Sequence, residues 1–423
     1  MAFERVLMLM SYWTSNPLLC AAVAIAIAAT VALAGLIVLL SGLQRVFATA
    51  PSLNSPSPGA QEPAPPDLTV VIPAFNEAAN IARCLSSVLR SDPPASTWTV
   101  VVVDDESNDA TAAIAASTAH AHQNSCSASV RILQAGPRPR GERWVGKNWA
   151  CTQAVDQLAA AHQTSEWILF LDADVTLAPH TLRTAVQQAR QEQADLFSLA
   201  PRLVCSCLAE WMVQPIMASL LGLGFPILET NDPESPVAFA AGPFMLFQAS
   251  TYARIGGHRA LAGEVVEDLA LARAIKAGGY RLRYLIGLDA VDLRMYSDLA
   301  ALWEGWTKNW FLGLDRDPIK ALGASLVVVL MFTLPWLLLP ASLVLLWLQP
   351  LLSNAWWWLM ALAALAIAQQ LMLRLWTRRN FDVPLSHWWL MGIGGLLVGA
   401  IGPVSIWRTR TGRGWTWKGR ALN

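Results

Sequence analysis

Trp167-Ile168-Leu169-Phe170-Leu171-Asp172-Ala173-Asp174 decides how the rest of the chain is read. Its first five residues are all apolar and offer no polar face. A strand made of them is covered on both sides, as in a parallel sheet flanked by crossover helices. In such a sheet, ligands bind beyond the carboxyl ends of the strands, which is where Asp172 and Asp174 fall. Two carboxylates so spaced can reach one hard cation together. Mg2+ and Mn2+ favour oxygen ligands, and phosphate oxygens complete their shell. A bare Asp-x-Asp triplet is common, and Asp often follows a strand only as a turn or cap residue; the position after a buried strand gives this one its weight.

The same arrangement recurs towards the N-terminus. The β-branched run 68–72 leads into Pro73-Ala74-Phe75-Asn76-Glu77, and the run 98–103 into Asp104-Asp105-Glu106-Ser107. Further strand candidates are 130–133, 196–199 and 237–247, with helical stretches near 77–90, 107–120, 148–161 and 179–192. Strands alternating with helices predict an α/β domain with a mostly parallel sheet flanked by helices. Three acidic clusters on one sheet edge repel each other unless something cationic sits among them; a divalent metal with a diphosphate fits. Farther along, Gly263-Glu264-Val265-Val266-Glu267-Asp268 opens a helix over 269–277. Acids there are favoured by the helix dipole alone; the functional reading is a general base that takes a proton from an acceptor hydroxyl.

Outside this domain the chain is greasy. Of 423 residues, 54% are hydrophobic and 14% charged, with no net charge and 20 Trp. That excludes an ordinary soluble enzyme and a disordered chain, and gives no sign of nucleic-acid binding. Residues 6–44, 321–373 and 383–407 contain no Asp, Glu, Lys or Arg, and about 20 apolar residues suffice to cross a bilayer. Expected spans are 18–40, 322–348, 353–373 and 386–407. The domain plan is an N-terminal transmembrane anchor 1–45, a Pro-rich linker 46–66, the sheet domain 67–297, an amphipathic interfacial helix 298–320, a C-terminal transmembrane region 321–407 and a basic tail 408–423. The rival reading of the first span, a cleaved signal peptide ending at Ala48-Thr49-Ala50, conflicts with its long apolar run. On the 298–320 helix, Trp303, Trp306 and Trp310 share one face, which suits the membrane interface or an ordinary core. Arg374, Arg378 and Arg379 form an expected basic loop, and the positive-inside rule puts that loop and the tail on the same side. One simple span over 386–407 contradicts this; Gly392, Gly394, Gly395, Gly399 and Gly402 would allow a re-entrant hairpin instead. The six Cys have no zinc-type spacing and imply no disulfide framework. Among the histidines only His258 is kept as a candidate for a role in the site; the others lack a metal spacing with a carboxylate partner.

Taken together these motifs resemble the membrane-bound family 2 glycosyltransferases. The carrying residues are Val71-Ile72-Pro73-Ala74-Phe75-Asn76-Glu77, 103–111 (Val-Asp-Asp-Glu-Ser-Asn-Asp-Ala-Thr), Phe170-Leu171-Asp172-Ala173-Asp174 and Val266-Glu267-Asp268, in the family's order and spacing over about 68–310. Trp144-Val145-Gly146-Lys147-Asn148-Trp149-Ala150 and Glu304-Gly305-Trp306-Thr307-Lys308-Asn309 look like the branch acting on hopanoid or carotenoid lipids, the hopene-associated glycosyltransferases. The resemblance implies a GT-A fold, a nucleotide-sugar donor, a membrane-lipid acceptor and Mg2+ or Mn2+. It also implies that Pro73, Asn76 and Glu77 lie near the nucleoside, that Asp105 binds the base, and that Lys147 sits near the nucleotide. Asp172 and Asp174 would bind metal and sugar diphosphate, with Gly242 on the sugar side. Asp268, beside Glu267, would be the catalytic base. Processive members carry Gln-x-x-Arg-Trp where this chain has Trp306-Thr307-Lys308-Asn309-Trp310, which favours a single transfer; Lys308 would supply the missing positive charge, and Trp306 and Trp310 would face the acceptor. Nucleotide sugars are cytosolic, so the resemblance implies an integral membrane protein with a cytoplasmic catalytic domain. Rival readings are transfer to polyprenyl phosphate, a nucleotidyltransferase, and an inactive membrane scaffold of the same fold.

Overall fold

In chain order the strands are β1 (Leu68–Ala74), β2 (Trp98–Asp104), β3 (Ser129–Gln134), β4 (Trp167–Leu171), β5 (Val175–Leu177), β6 (Leu196–Ala200), β7 (Arg202–Leu203), β8 (Phe244–Gln248), β9 (Leu282–Ile286), β10 (Val291–Leu293), β11 (Thr416–Trp417) and β12 (Arg420–Ala421). The structure is a computed structural model and describes residues 17–54, 67–224, 227–350, 353–381, 383–413, 416–418 and 420–421. Residues 55–66 of the expected linker lie outside the described residues.

Seven strands make the main sheet, in the order β3-β2-β1-β4-β8-β6-β9. All neighbours are parallel except β8, which runs antiparallel to both β4 and β6. The period of two along each strand builds a core on each face. Leu68, Val70 and Ile72 join Val100, Val102, Leu169 and Leu171 in one cluster. Val71 joins Val101, Val103, Ile168 and Phe170 in the other. The 237–247 run yields a strand only from Phe244, because Gly242-Pro243 interrupts it and Pro has no N–H for the ladder. β9 was not expected: Arg283 and Tyr284 break its apolar run. β5, β10 and β7 form a small second sheet, which holds the chain that leaves Asp174.

The fold divides into two compact units. The first takes Met1–Arg45, Cys205–Leu223 and Ser297–Gly412; the second takes Val46–Val204, Gly224–Tyr296 and Arg413–Asn423. The sequence plan differs in two places. Residues 205–223, expected in the sheet domain, carry most of the apolar helix Leu208–Gly224 and belong with the helical unit. The described residues from 413 on, in the expected basic tail, belong with the sheet unit.

Among the described residues, four helices are long and apolar enough to cross a membrane: Cys20–Thr49, Pro318–Leu348, Ser353–Phe381 and Trp388–Arg410. The second is broken by a π-helical turn at Val329–Thr333, just ahead of Pro335, a usual site of such an irregularity. The hairpin alternative for 386–407 is corrected: Met391–Arg410 is one continuous helix. Its glycines serve close packing instead. A Cβ on Gly394 would come within 2.1 Å of the Met212 carbonyl oxygen, on Gly399 within 2.2 Å of Val329, and on Gly402 within 2.1 Å of Ser325. The basic loop is corrected too. Arg374, Arg378 and Arg379 lie on the Ser353–Phe381 helix. Arg374 is fully buried and donates to the Pro384 carbonyl at 2.9 Å.

The helix expected at the interface spans Leu299–Gly313. Its Trp306 and Trp310 are buried: the Trp306 indole donates to Gln214 Oε1 and the Trp310 indole to the Ala321 carbonyl. Ser405 Oγ donates to the Thr307 carbonyl and accepts from the Phe311 N–H. These indoles pack inside the helical unit and do not form an open face; the core reading holds for them. Lys308 is half-buried on the same helix.

Gly394→Ala is expected to lower the melting temperature of the detergent-solubilised protein, through overpacking of about 1–3 kcal/mol. Gly323→Ala, where a Cβ meets nothing within 4 Å, should leave it unchanged or raise it, since Ala is the better helix former. Equal effects of the two would refute the packing role.

Candidate active site

Parallel register brings the loops after β1 and β2 side by side, since Ala74 pairs with Asp104. The Asp105 N–H donates to the Ala74 carbonyl at 2.8 Å. The loops are then stitched together. Asn76 N–H donates to Ser107 Oγ, Asn108 N–H to Asn76 Oδ1, and Glu77 N–H to Thr111 Oγ1. Asn76 sits at φ 52°, a left-handed conformation that Asn tolerates better than most residues. Pro73, half-buried near the end of β1, pairs with Val103.

The antiparallel β8 starts where β4 ends, so Leu171 pairs with Phe244 and the Asp172 N–H donates to the Pro243 carbonyl. Gly242 is thereby set beside the Asp172 loop. Its N–H donates to Asp268 Oδ2 at 3.1 Å, and a Cβ there would come within 2.9 Å of that oxygen. The Leu269 N–H donates to Asp268 Oδ1. Glu267 and Asp268 open the Glu267–Ala277 helix.

One lysine ties these parts together. Lys147, in the first turn of the Gly146–Ala160 helix, reaches Asp172 Oδ1 at 2.6 Å and Glu267 Oε1 at 2.7 Å. Burial works against its charge, but Asp172 and Glu267 outweigh it and hold the ammonium well above the usual lysine range. Burial also opposes Glu267's charge, yet Lys147 keeps that carboxyl below its ordinary value. Next to Lys147, Asn148 Nδ2 donates to the carbonyls of Leu261 and Glu264, and the Val145 N–H to that of Ala262. These bonds fix the helix start to the loop that leads into Glu267.

Asp105 lies at the other end of this network. Its Oδ2 accepts from Arg138 at 2.6 Å and Arg420 at 2.5 Å, while its buried Oδ1 has no hydrogen-bond partner. Gly146 leaves room for this triplet: a Cβ there would lie 2.6 Å from Asp105 Oδ2. Burial pushes Asp105 up to about 6, with Arg138 and Arg420 pulling the other way. Burial, then Glu267, pushes Asp268 up to about 6.

Asp174 is the carboxylate that the chain leaves unanswered. Its Oδ1 is buried without a partner. Burial and the neighbouring charges of Asp172 and Glu77 raise it well above the usual range. An orphaned carboxylate oxygen beside a second carboxylate fits a hard divalent cation. Among the described residues no third His, Cys, Asp or Glu completes a metal cage, so phosphate and water oxygens would fill the remaining positions.

The structure thus gathers Asn76, Glu77, Asp105, Lys147, Asp172, Asp174, Gly242, Glu267 and Asp268 at one sheet edge. Trp306, Lys308 and Trp310 belong to the helical unit instead. His258 is a core residue: Tyr252 OH lies 2.7 Å from its Nδ1, its ring packs on Phe170, and burial pushes it down to about 3. Sequence reading misses Arg138; it likens Trp-Lys-Gly-Arg at 417–420 to the family's tail but gives Lys418 and Arg420 no role. Arg138 follows β3, whose parallel direction aims its loop at the same edge, so that signal was present. Lys418 and Arg420 stand more than 300 residues from their partners, and nothing local says what the 417–420 motif would reach.

Family models match the residues that build this edge: "Glycosyl transferase family 2" over residues 69–256 and "Glycosyl transferase family group 2" over residues 167–371. The matched residues are similar to a family 2 glycosyltransferase domain. The 4,4'-diaponeurosporenoate glycosyltransferase of Staphylococcus haemolyticus (strain JCSC1435) is 27% identical over 249 residues, 58% of this chain and 61% of that protein. The protein of the same name from Staphylococcus aureus (strain USA300) is 29% identical over 260 residues, 61% of this chain and 64% of its own. The matched part is therefore under two thirds of these relatives' length. Among solved structures, the mannosyltransferase PcManGT from Pyrobaculum calidifontis, in complex with GDP-Man and Mn2+, aligns over 91% of this chain and 98% of its own, with 20% identity and a TM-score of 0.48. None of the six Cys, all of them among the described residues, forms a disulfide.

The raised Asp105 and Asp268 bind protons more tightly folded than unfolded. Stability therefore falls as pH rises from about 4 to 6. Asp268→Asn removes its share of that loss. It is expected to flatten the fall in melting temperature between pH 5 and pH 7.5 relative to the native protein. An unchanged pH slope would contradict this.

Proposed function

We propose that this protein transfers a single sugar from a nucleotide-sugar donor to a membrane lipid of carotenoid kind, inverting the anomeric carbon. The observation that carries this reading is the continuous path Asp172–Lys147–Glu267, with Asp268 next in the chain, at the edge that also holds Asp105 and Asp174. The relatives named diaponeurosporenoate glycosyltransferase support the acceptor class over a hopanoid. The four candidate spans support a membrane-embedded acceptor, and the location of nucleotide sugars supports a cytosolic catalytic domain. The altered 306–310 motif supports one transfer per acceptor.

Asp105 Oδ1 is an acceptor suited to a nucleobase N–H. Lys147 suits the diphosphate, at the start of a helix whose dipole also favours anions. Asp174, with Asp172 beside it, would hold Mg2+ or Mn2+, which supplies neutralisation of the leaving diphosphate when bound. Asp268 takes the proton of the acceptor hydroxyl, whose oxygen attacks the anomeric carbon opposite the diphosphate. Gly242 and Leu269 N–H groups aim that carboxylate. With its pKa near 6, Asp268 is an anion at neutral pH and still basic enough to accept a proton.

Incubating detergent-purified protein with UDP- and GDP-hexoses and carotenoid extract should give a glycosylated lipid by mass spectrometry, together with nucleoside diphosphate. Pyrophosphate release would indicate a nucleotidyltransferase, and no turnover a scaffold. Asp268→Asn should cut the rate about 10²–10⁴-fold with nucleotide binding largely kept. The native rate should fall below pH 6 as Asp268 is protonated. Near-native turnover by Asp268→Asn would remove the base assignment and favour an acceptor that is already anionic, such as polyprenyl phosphate.

A further inference from the structure

We propose that the C-terminal β11–β12 hairpin is a strap of the donor site, whose Lys418 and Arg420 hold the two nucleotide-facing loops in binding shape and present positive charge to a nucleoside diphosphate. This rests on the glycosyltransferase reading above. β11 and β12 pair antiparallel, Trp417 opposite Arg420, and Lys418 follows β11 at φ 48°. Lys418 Nζ pairs with Glu77 Oε1 at 2.5 Å and donates to the carbonyls of Asn76 at 3.0 Å and Phe75 at 3.3 Å. Arg420 pairs with Asp105 Oδ2, donates to the Asp105 carbonyl at 2.9 Å, and approaches Glu106 at 3.8 Å. Its guanidinium lies over the Phe75 ring, 3.8 Å from the centroid. One turn therefore grips the loop after β1 and the loop after β2 together.

The charge balance says what this grip is for. Glu77, Asp105 and Glu106 would repel an incoming diphosphate. Lys418 pairs with Glu77, and Arg420 pairs with Asp105 and approaches Glu106. Arg420 occupies Asp105 Oδ2 and leaves the buried Oδ1 without a partner, so the strap orients that carboxylate without using up its second acceptor. A guanidinium plane on an aromatic ring also makes a flat wall of the kind on which a nucleobase can stack. Lys418 and Arg420 are thus positioning residues for the donor.

The test is titration of the full-length protein in detergent with UDP and with GDP. In a Lys418→Ala/Arg420→Ala double variant, the dissociation constant for whichever nucleotide the native protein binds should rise about tenfold or more, as expected for losing charge-assisted contacts. Without nucleotide the double variant should still melt in one cooperative transition, lowered by the loss of the two ion pairs. Arg420→Lys should recover part of the loss seen in Arg420→Ala. Should the double variant lose its melting transition, Lys418→Gln alone decides by the same criterion. Unchanged nucleotide affinity would overturn the strap while leaving the enzyme reading intact. Tighter binding would overturn it in favour of a plug. A native protein that binds neither nucleotide would remove the enzyme reading and the strap with it.

Discussion

Like charge crowded at one edge of a sheet is the constraint that organises this protein. Carboxylates at the ends of β1, β2 and β4, and at the start of the Glu267–Ala277 helix, would push each other apart at low dielectric. The chain answers with its own cations. Lys147 binds Asp172 and Glu267, Arg138 and Arg420 bind Asp105, and Lys418 binds Glu77. These buried pairs are poor sources of stability in themselves. They make a dense anionic surface compatible with folding, and they leave two oxygens, Asp105 Oδ1 and Asp174 Oδ1, without protein partners.

Much of this was legible because local pattern and position agree. The run Trp167–Leu171 has to be a central strand, and its place in the sheet fixes where Asp172 and Asp174 lie. Gly242 and Asp268 were legible as motif residues, while their hydrogen bond depends on β8 running antiparallel, which no local signal encodes. The expectation of an external cation among the acids was incomplete for the same reason: Arg138, Lys418 and Arg420 arrive through tertiary contacts. His258 looked available because the resemblance puts its loop just after the sugar-side strand, yet Tyr252 and Phe170 hold it in the core.

In the helical unit, composition revealed the spans but not their packing. Glycine counts along 392–402 fit a broken helix as well as a closely packed one. Only the neighbours Met212, Val329 and Ser325 decide between them. Likewise Trp306 and Trp310 read as interfacial until Gln214 and Ala321 are seen to take their indole N–H groups. Hydrophobic periodicity reports which residues avoid water; it does not tell lipid from protein.

The Asn148 amide has a mechanical consequence. By gripping the carbonyls at 261 and 264, it makes the helix carrying Lys147 and the segment carrying Asp268 a single mount. The ammonium proposed to face the diphosphate and the carboxylate proposed as base are then two jaws fixed on one arm. A displacement of either segment carries the other with it, so their spacing is held by the backbone rather than by the ligand.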